Sequence, residues 1–178
     1  MKLFHISTRN KQLNLLDMTI HKKNDLKYVF YIFDSSISFE EFLFAFNSKI
    51  TKACSEEKGW SIEKLAAEAI FEYVRVQKHP ESPSRLFYAY FSDSYEKAIE
   101  FNRKWRSDAG AIFEFTADID KIFYYDMDIF DDAVKLFEKG VTQKSYEDAL
   151  ALAEIYWNAT SQKNIEILYK GYPVLTRI

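Results

Sequence analysis

Glycine is scarce in this sequence and cysteine occurs once, and each shortage excludes a class of protein. The four glycines, at positions 59, 110, 140 and 171, lie far apart. Neither a phosphate-binding Walker loop nor the dinucleotide fingerprint can be assembled from them, because both need closely spaced glycines. Cys54 alone cannot form an internal disulfide, which fits a reducing compartment. We interpret Cys54 as a structural cysteine, since thiol catalysis would need a histidine nearby in space.

Histidines, long apolar runs and excess positive charge are scarce too. His5, His21 and His79 lie far apart, which disfavours a histidine-based zinc site. The opening residues lack the apolar core of a signal peptide, and no run approaches the ~20 apolar residues that span a bilayer. A formal net charge of −3 gives no basic stripe. We expect a soluble, cytoplasmic protein with no membrane partner and no structural nucleic-acid binding, although nucleic acid is not excluded as a substrate.

Aromatic residues are abundant, at 17% of the chain, within an ordinary share of 48% hydrophobic and 29% charged residues. A chain of 178 residues is long enough to bury a core without disulfides. We expect one domain over residues 1–178, with a helical insert at about 37–80. The loop 77–85, which holds two of the three prolines, separates a helical front part from a strand-rich rear part.

Capping residues followed by apolar stripes predict the helices. Ser38 with Glu41 forms a capping box, and Ser61 precedes the most regular stripe in the chain. Asp93 with Glu96 predicts a second capping box. A short helix is expected over 131–139, and a last helix is expected after a cap at position 145. Runs rich in aromatic and β-branched residues predict strands at 2–7, 13–20, 26–33, 86–92, 110–116, 121–125 and within 164–178. This pattern indicates an α+β protein with mostly antiparallel sheets.

Acidic residues cluster between positions 118 and 132. Asp126 and Asp128, two residues apart, would share one face of a strand and could hold Mg²⁺ or Ca²⁺. The alternative is that these carboxylates stand in water at strand ends and helix starts, where aspartate is favoured. That alternative is the stronger one, and no metal ligand is assigned.

Three features carry the functional hypothesis. The first strand holds His5, followed by Ser7, and the stretch from Tyr88 to Ala98 leads from a strand into a helix. Glu166 stands at the head of a late apolar strand. Burying an unpaired carboxylate costs several kcal/mol, so Glu166 either faces water from an edge strand or has a task. We expect this strand to pair with the opening strand, and that pairing favours the task.

Together these features resemble the ADP-ribosyltransferase superfamily, in particular its His–Tyr–Glu branch of PARP-like and rifampicin-ADP-ribosylating enzymes. The similar segments are Phe4-His5-Ile6-Ser7, the strand and helix that include Tyr90-Phe-Ser-Asp, and Glu166-Ile-Leu-Tyr. Residues 82–178 look closer still to the DUF2441 family of uncharacterised bacterial proteins. The blocks that carry this second resemblance are Arg85-Leu-Phe, Gly110-Ala-Ile-Phe-Glu-Phe, Asp126, Tyr156-Trp157 and Glu166-Ile-Leu-Tyr-Lys-Gly171.

The superfamily resemblance implies a cleft between two small sheets that binds NAD as a substrate. It implies that His5 bonds the nicotinamide-side ribose and that Ser7 helps to place the carboxamide. It also implies that Tyr88 or Tyr90, on one strand face, stacks on nicotinamide, with Ser92 nearby in the same binding site. In this picture Glu166 binds the ribose 2′-hydroxyl and is the catalytic acid, with His5 as its catalytic partner. The usual glycine after the histidine is replaced here by Ile6.

The leading hypothesis is therefore a NAD-dependent mono-ADP-ribosyltransferase whose acceptor, a protein, a nucleic acid or a small molecule, is unknown. The alternative is a module on the same fold that binds a nucleotide or a protein partner without chemistry. A third hypothesis, a divalent-metal-dependent hydrolase, would centre on Asp126 and Asp128.

Overall fold

A computed structural model describes residues 1–7, 38–50, 61–158 and 163–178 of the chain. In these ranges the protein is α+β, with two three-stranded antiparallel sheets and five α-helices. The strands predicted at 13–20 and 26–33, as well as Cys54, lie outside the described residues.

One backbone bridge in the described ranges joins the two sheets. The first has the order β1 (Lys2–Ser7), β3 (Ala111–Thr116), β6 (Thr176–Arg177), and the second has the order β2 (Tyr90–Phe91), β5 (Ile165–Tyr169), β4 (Ile122–Asp126). Phe4 and Ser92 exchange backbone hydrogen bonds of 2.9 and 2.8 Å, which joins β1 to the end of β2. In the described residues, backbone pairing therefore connects β1 to β5 through β2, and β1 and β5 do not pair directly.

The helices begin at residues that cap them. They are α1 (Phe39–Ala45), α2 (Ile62–Lys78), α3 (Tyr95–Arg106), α4 (Met127–Phe137) and α5 (Gln143–Trp157); a π-helical turn, Phe46–Ile50, follows α1 and a 3-10 turn, Ile119–Lys121, precedes β4. Ser38 and Glu41 form the predicted capping box, and the hydroxyl of Ser61 accepts from the backbone N–H of Lys64. Both caps satisfy N–H groups that the first helical turn leaves without partners.

Two apolar cores lie on opposite faces of the second sheet. On one face, Leu168 and Tyr125 pack with α2, α4 and α5. On the other face, Ile167 packs with Leu3 and Phe113 of the first sheet. Alternate residues of a strand point to opposite faces, so β5 divides its side chains between the two cores. Apolar side chains fill the space between the two sheets at this level.

The strand predicted over 86–92 is largely wrong, because only Tyr90 and Phe91 form strand β2. The preceding residues turn instead. The backbone N–H groups of Phe87 and Tyr88 both point to the carbonyl of Ser84, at 3.3 and 3.1 Å. Residue 85 is a buried arginine, and the turn directs its side chain towards the helices, a requirement that no local propensity reveals.

Three predicted helix starts are displaced by a few residues. Ser94, not Asp93, caps α3, and Thr142 caps α5 with Ser145 as its capping-box partner. Helix α4 begins at Met127 rather than at residue 131, because the Asp126 carboxylate accepts from the N–H of Asp128 and starts the helix directly at the end of β4. In each case another side chain that can cap stands close by in the sequence.

Candidate active site

Glu166 lies on the central strand of the second sheet and is only 8% exposed. The alternative in which Glu166 faces water from an edge strand is therefore wrong. The Glu166 side chain faces the helical layer, beside its strand partner Tyr125. There its Oε2 atom accepts hydrogen bonds from the hydroxyl of Tyr156 and from Nη1 of Arg85. Burial of this carboxylate is thus compensated by an ion pair and a phenol.

Arg85 holds two carboxylates at once. Besides Glu166, it binds Glu68 of α2 through both Nε and Nη2, at 3.1 and 3.3 Å. Its Nη1 also donates to the Tyr156 hydroxyl at 2.8 Å, and the Phe130 ring centre lies 3.8 Å from Cζ. A bidentate pair and a stacked aromatic ring are geometries that a guanidinium satisfies and an ammonium does not.

The buried cluster of Glu68, Arg85 and Glu166 contains one positive and two negative side chains. Burial raises the pKa of Glu166, and the attraction of Arg85 only partly offsets this. Burial by itself lowers the pKa of Arg85. The negative charges of Glu166 and Glu68 together outweigh the effect of burial, so the pKa of Arg85 is raised well above its ordinary value. Lys64 is a weaker, more distant source of positive charge for Glu166. The cluster therefore holds two carboxyl groups for one guanidinium inside the protein.

A second buried network fixes the loop that carries Arg85. Glu72, one helical turn after Glu68, binds Arg75 through two hydrogen bonds of 3.0 and 2.7 Å. The Ser84 hydroxyl donates to Glu72 at 2.9 Å and accepts from the N–H of Leu86 at 3.2 Å. These hydrogen bonds hold Ser84 and Leu86, the neighbours of Arg85, against α2. They thereby orient the backbone from which the Arg85 side chain extends.

Tyr90 connects this cluster to the surface. The residue is 36% exposed, while its hydroxyl is turned inward and donates to the Arg85 carbonyl at 3.2 Å. Its ring centre lies 5.5 Å from the Arg85 guanidinium carbon. Burial of the hydroxyl raises the pKa of Tyr90 well above its ordinary value, although Arg85 acts in the opposite direction. Besides Glu166 itself, Tyr90 is the predicted site residue that contacts the buried cluster of Glu68, Arg85 and Glu166.

His5 lies next to Tyr90 but on the other side of the second sheet. Its Nδ1 atom is 2.9 Å from the Tyr90 carbonyl oxygen, and its ring contacts Phe91 at 5.6 Å between centres. His5 pairs with Phe113, which belongs to the core between the sheets. Glu166 points to the opposite core, so the structure does not bring the imidazole and the carboxylate to one surface.

The remaining predicted residues occupy separate positions. Ser7 is buried at the end of β1, and Ser92 takes part through its backbone in the bridge to Phe4. Tyr88 is not on a strand with Tyr90; its ring stacks on Tyr172, with centres 5.6 Å apart. An open depression of about 400 Å³ is lined by residues 114–116, 173, 174 and 176, and none of the predicted site residues lines it.

Asp126 and Asp128 do not share a strand face, which corrects the basis of the metal hypothesis. Asp126 ends β4 and caps α4, and it accepts from the backbone N–H groups of Lys163 and Asn164 at 3.0 and 3.3 Å. Asp128 lies in the first turn of α4 and accepts from the Asn164 side chain at 2.9 Å. Within the described ranges, no group of three His, Cys, Asp or Glu side chains is placed to hold a metal ion.

Sequence reasoning missed Arg85, Glu68 and Tyr156 as partners of Glu166. One signal was available for Glu68. It stands, with Glu72 four residues later, among the alanines and other apolar residues of the α2 stripe, so a helix that buries this stripe tends to bury those carboxylates too. Buried carboxylates need cationic partners, and Arg85 opens the apolar run 86–91.

The described residues form an α+β protein of two small antiparallel sheets covered by helices, with a buried Glu–Arg–Glu cluster beneath the second sheet. The family model described as a protein of unknown function, DUF2441, matches residues 3–175, and the chain belongs to that family. No curated protein matches the sequence. No helix in the described ranges has the length and apolar character required to cross a membrane.

Buried tyrosines around the cluster predict a cooperative alkaline transition. Burial raises the pKa of Tyr125 to about 12, and it raises the pKa of Tyr156 further above its ordinary value. A folded-state pKa above the unfolded value means that stability is complete below about pH 10 and is lost as pH rises through the folded-state pKa.

We therefore expect the 295-nm absorbance of these phenolates to appear together with loss of helical circular dichroism. Tyr125→Phe, which removes one such hydroxyl, is expected to make the fall in stability less steep above pH 10. Complete tyrosine ionisation while the circular dichroism stays native would contradict this assignment.

Proposed function

We propose that this protein is a NAD-dependent mono-ADP-ribosyltransferase of unknown acceptor. The observation that carries the proposal is the buried cluster in which two carboxylates, Glu68 and Glu166, share the one guanidinium of Arg85 beside the partly exposed ring of Tyr90. An excess negative charge in a dry, preorganised site stabilises a positive charge that develops in a transition state.

The proposed chemistry separates nicotinamide from the adjacent ribose. The glycosidic C–N bond breaks and its electron pair stays on the nicotinamide nitrogen, which leaves an oxocarbenium-like ribose, as in glycoside cleavage. A nucleophile of the acceptor forms the new bond to the same carbon and loses its proton to solvent. Glu166 stabilises the cationic ribose through its carboxylate, and Arg85 and Tyr156 set the direction of that carboxylate.

The other site residues take binding roles in this proposal. The exposed part of the Tyr90 ring offers a face for nicotinamide, a contact of about 1 kcal/mol beyond the burial of area. His5, fixed by the Tyr90 carbonyl, and Ser7 on the same strand lie across the second sheet from Glu166, so the proposal assigns them NAD binding and not contact with the reacting carbon. Tyr88 and Ser92, which precede and follow β2 in the chain, are the remaining residues to which the proposal assigns NAD binding.

Nicotinamide release from NAD tests the proposal. Glu166→Gln keeps the size of the side chain and removes its charge, so we expect the rate to fall at least ~100-fold, by analogy with the loss of one preorganised electrostatic group. His5→Ala is expected to lower the rate less. Glu154→Gln on α5, whose only described ion pair is the exposed one with Lys78, is the matched control and is expected to retain the parental rate.

Each variant is first checked for a native circular dichroism spectrum and thermal transition. Equal release by the parent, Glu166→Gln and His5→Ala would remove the proposal, as would a lack of release by a folded parent.

Two observations favour a second function, in which the protein binds a nucleotide without cleaving it. Arg85 already pairs with Glu166, and His5 lies on the opposite side of the second sheet. Both arrangements suit a module that holds a nucleotide and does not cleave it. Saturable NAD binding by calorimetry, lost in Tyr90→Ala but not accompanied by nicotinamide release, would favour this function over the first.

A further inference from the structure

Helix α3 presents large aromatic side chains to solvent. Ala98 and Asn102 form its buried side, which packs towards β1, whereas Phe101 is 46% and Trp105 is 64% exposed. Phe101 and Trp105 are four residues apart, so they stand one above the other on the same face of the helix. An isolated exposed aromatic residue needs no explanation, but two adjacent ones on one helix face form a surface that can bind.

Basic side chains stand in the same helical turn as Trp105. Arg103, Lys104 and Arg106 occupy the last turn of α3, which contains no acidic residue. The ammonium of Lys104 lies 5.0 Å from the Trp105 ring centre. In the described ranges none of these three cations forms an ion pair with a carboxylate. The aromatic–basic surface, made of Phe101, Trp105 and these three cations, is positive in the last turn of α3, whereas Glu96 and Glu100 lie earlier on the same helix and the whole chain has a net charge of −3.

The carboxyl end of α3 is held rigidly, which preorganises the surface. The Asn102 side chain donates to the carbonyl of Gly110 at 2.8 Å and accepts from its N–H at 3.0 Å. A Cβ atom at position 110 would lie 2.5 Å from a methyl carbon of Ile6 and 2.6 Å from the Asn102 oxygen, so only glycine fits. The clamp joins the helix to β1 and β3 and leaves the aromatic–basic surface facing outwards.

We propose that the aromatic–basic surface of α3 binds single-stranded nucleic acid. Aromatic rings interleaved with cations are the means by which proteins bind an unpaired strand, with bases stacked on the rings and phosphates near the cations. The helical rise places Phe101 and Trp105 about 6 Å apart along the axis. This spacing exceeds the ~3.4 Å between stacked bases of a duplex strand, so it suits bases that are separated.

Neither a duplex nor a lipid surface fits the same side chains as well. Bases in a duplex are stacked on one another and cannot stack on Trp105. A helix that lies in a membrane interface turns its apolar side to the lipid. The small, buried side of α3 faces β1 instead, so it is not available to a lipid surface. Charge complementarity and the exposed rings therefore favour an unpaired polyanionic strand.

Fluorescence anisotropy with a labelled 20-nucleotide oligothymidylate tests this proposal. With three cations engaged, the salt slope for single strands predicts affinity about 20-fold weaker at 200 mM than at 50 mM salt. Trp105→Ala is expected to weaken binding about 5- to 150-fold, the range for one stacked base. Trp105→Tyr is expected to restore much of the affinity, and Lys104→Gln to reduce the salt slope by about 0.7.

Two substitutions elsewhere are matched controls. Phe44→Ala on α1 removes an aromatic side chain that is 71% exposed, and Lys144→Gln on α5 removes an exposed lysine. Both are expected to leave binding unchanged. The proposal is overturned by absent binding at 50 mM salt or by equal affinity for a 20-base-pair duplex. Binding that survives Trp105→Ala overturns it too, as does tighter Trp105-dependent binding to phosphatidylserine vesicles than to the oligonucleotide.

Discussion

Replacing Arg85 by methionine is expected to lower the free energy of unfolding by about 3–5 kcal/mol, the range for breaking a buried ion pair from one side. The substitution keeps an apolar stem of similar length against Phe130 but leaves Glu68 and Glu166 buried without their shared cation. Because Arg85 is 2% exposed, water cannot take over the role of the guanidinium without opening the core. Urea unfolding followed by circular dichroism measures the change.

Two comparisons isolate the cause of the Arg85 effect. Lys135→Met removes an exposed ion pair with Asp132 and is expected to leave the free energy of unfolding nearly unchanged. Adding Glu68→Gln and Glu166→Gln to Arg85→Met removes the unpaired charges and is expected to recover part of the loss, since the penalty comes from buried charge and not from lost volume. Equal stability of Arg85→Met and Lys135→Met would show that the cluster is hydrated in solution.

The helix-start signals of this sequence predict structure well because they act locally. Ser38 and Ser61 each lie three residues from the N–H group that their hydroxyls bind, so a short window contains both partners. The errors at Asp93 and Ser145 have the same local origin, because a neighbouring residue competes for the cap. Small differences in the backbone conformation before the helix decide which residue caps it. They move the start of the helix by one to three residues and leave the helix intact.

The surroundings of Glu166 could not be predicted in the same way. The sequence shows that a carboxylate stands in an apolar run, and it offers two outcomes, exposure or function. The structure adds buried pairing with Arg85, which is 81 residues away in the chain. Similarly, the side of the sheet on which His5 lies depends on the register of β1 against β3, which no local pattern specifies. Identifying residues that carry a resemblance is thus easier than identifying the side of a sheet on which they meet.

Whole-chain charge is a poor guide to this molecule for a related physical reason. A net charge of −3 sums side chains that never share a surface. Beyond roughly 10 Å, salt screens exposed charges from one another, so a ligand responds to the local group. On α3 the local group is three cations, and in the buried cluster it is two carboxylates and one guanidinium. Both proposals depend on the charged groups at one place and are compatible with a net charge of −3 for the whole chain.

Phe71→Ala is expected to destabilise the protein by about 3–5 kcal/mol, the range for truncating a buried phenylalanine to alanine. Phe71 of α2 is fully buried, and its ring meets Phe130 and Tyr156 with centres 5.1 and 5.2 Å apart. Phe130 covers the Arg85 guanidinium, and Tyr156 donates to Glu166. The cavity therefore opens directly behind the two groups that hold the ion cluster together.

Three comparisons show whether the loss of stability in Phe71→Ala comes from the cavity and whether that cavity also weakens the ion cluster. Phe44→Ala, on an exposed side chain, is expected to change stability by no more than about 0.5 kcal/mol. Phe71→Leu fills most of the space and is expected to lose clearly less than Phe71→Ala. If Phe71 supports the cluster, the cost of Phe71→Ala and Arg85→Met together is less than the sum of their separate costs, because each change loosens the same contacts. Strict additivity in urea unfolding would instead mean that the aromatic layer and the ion cluster stabilise the fold independently.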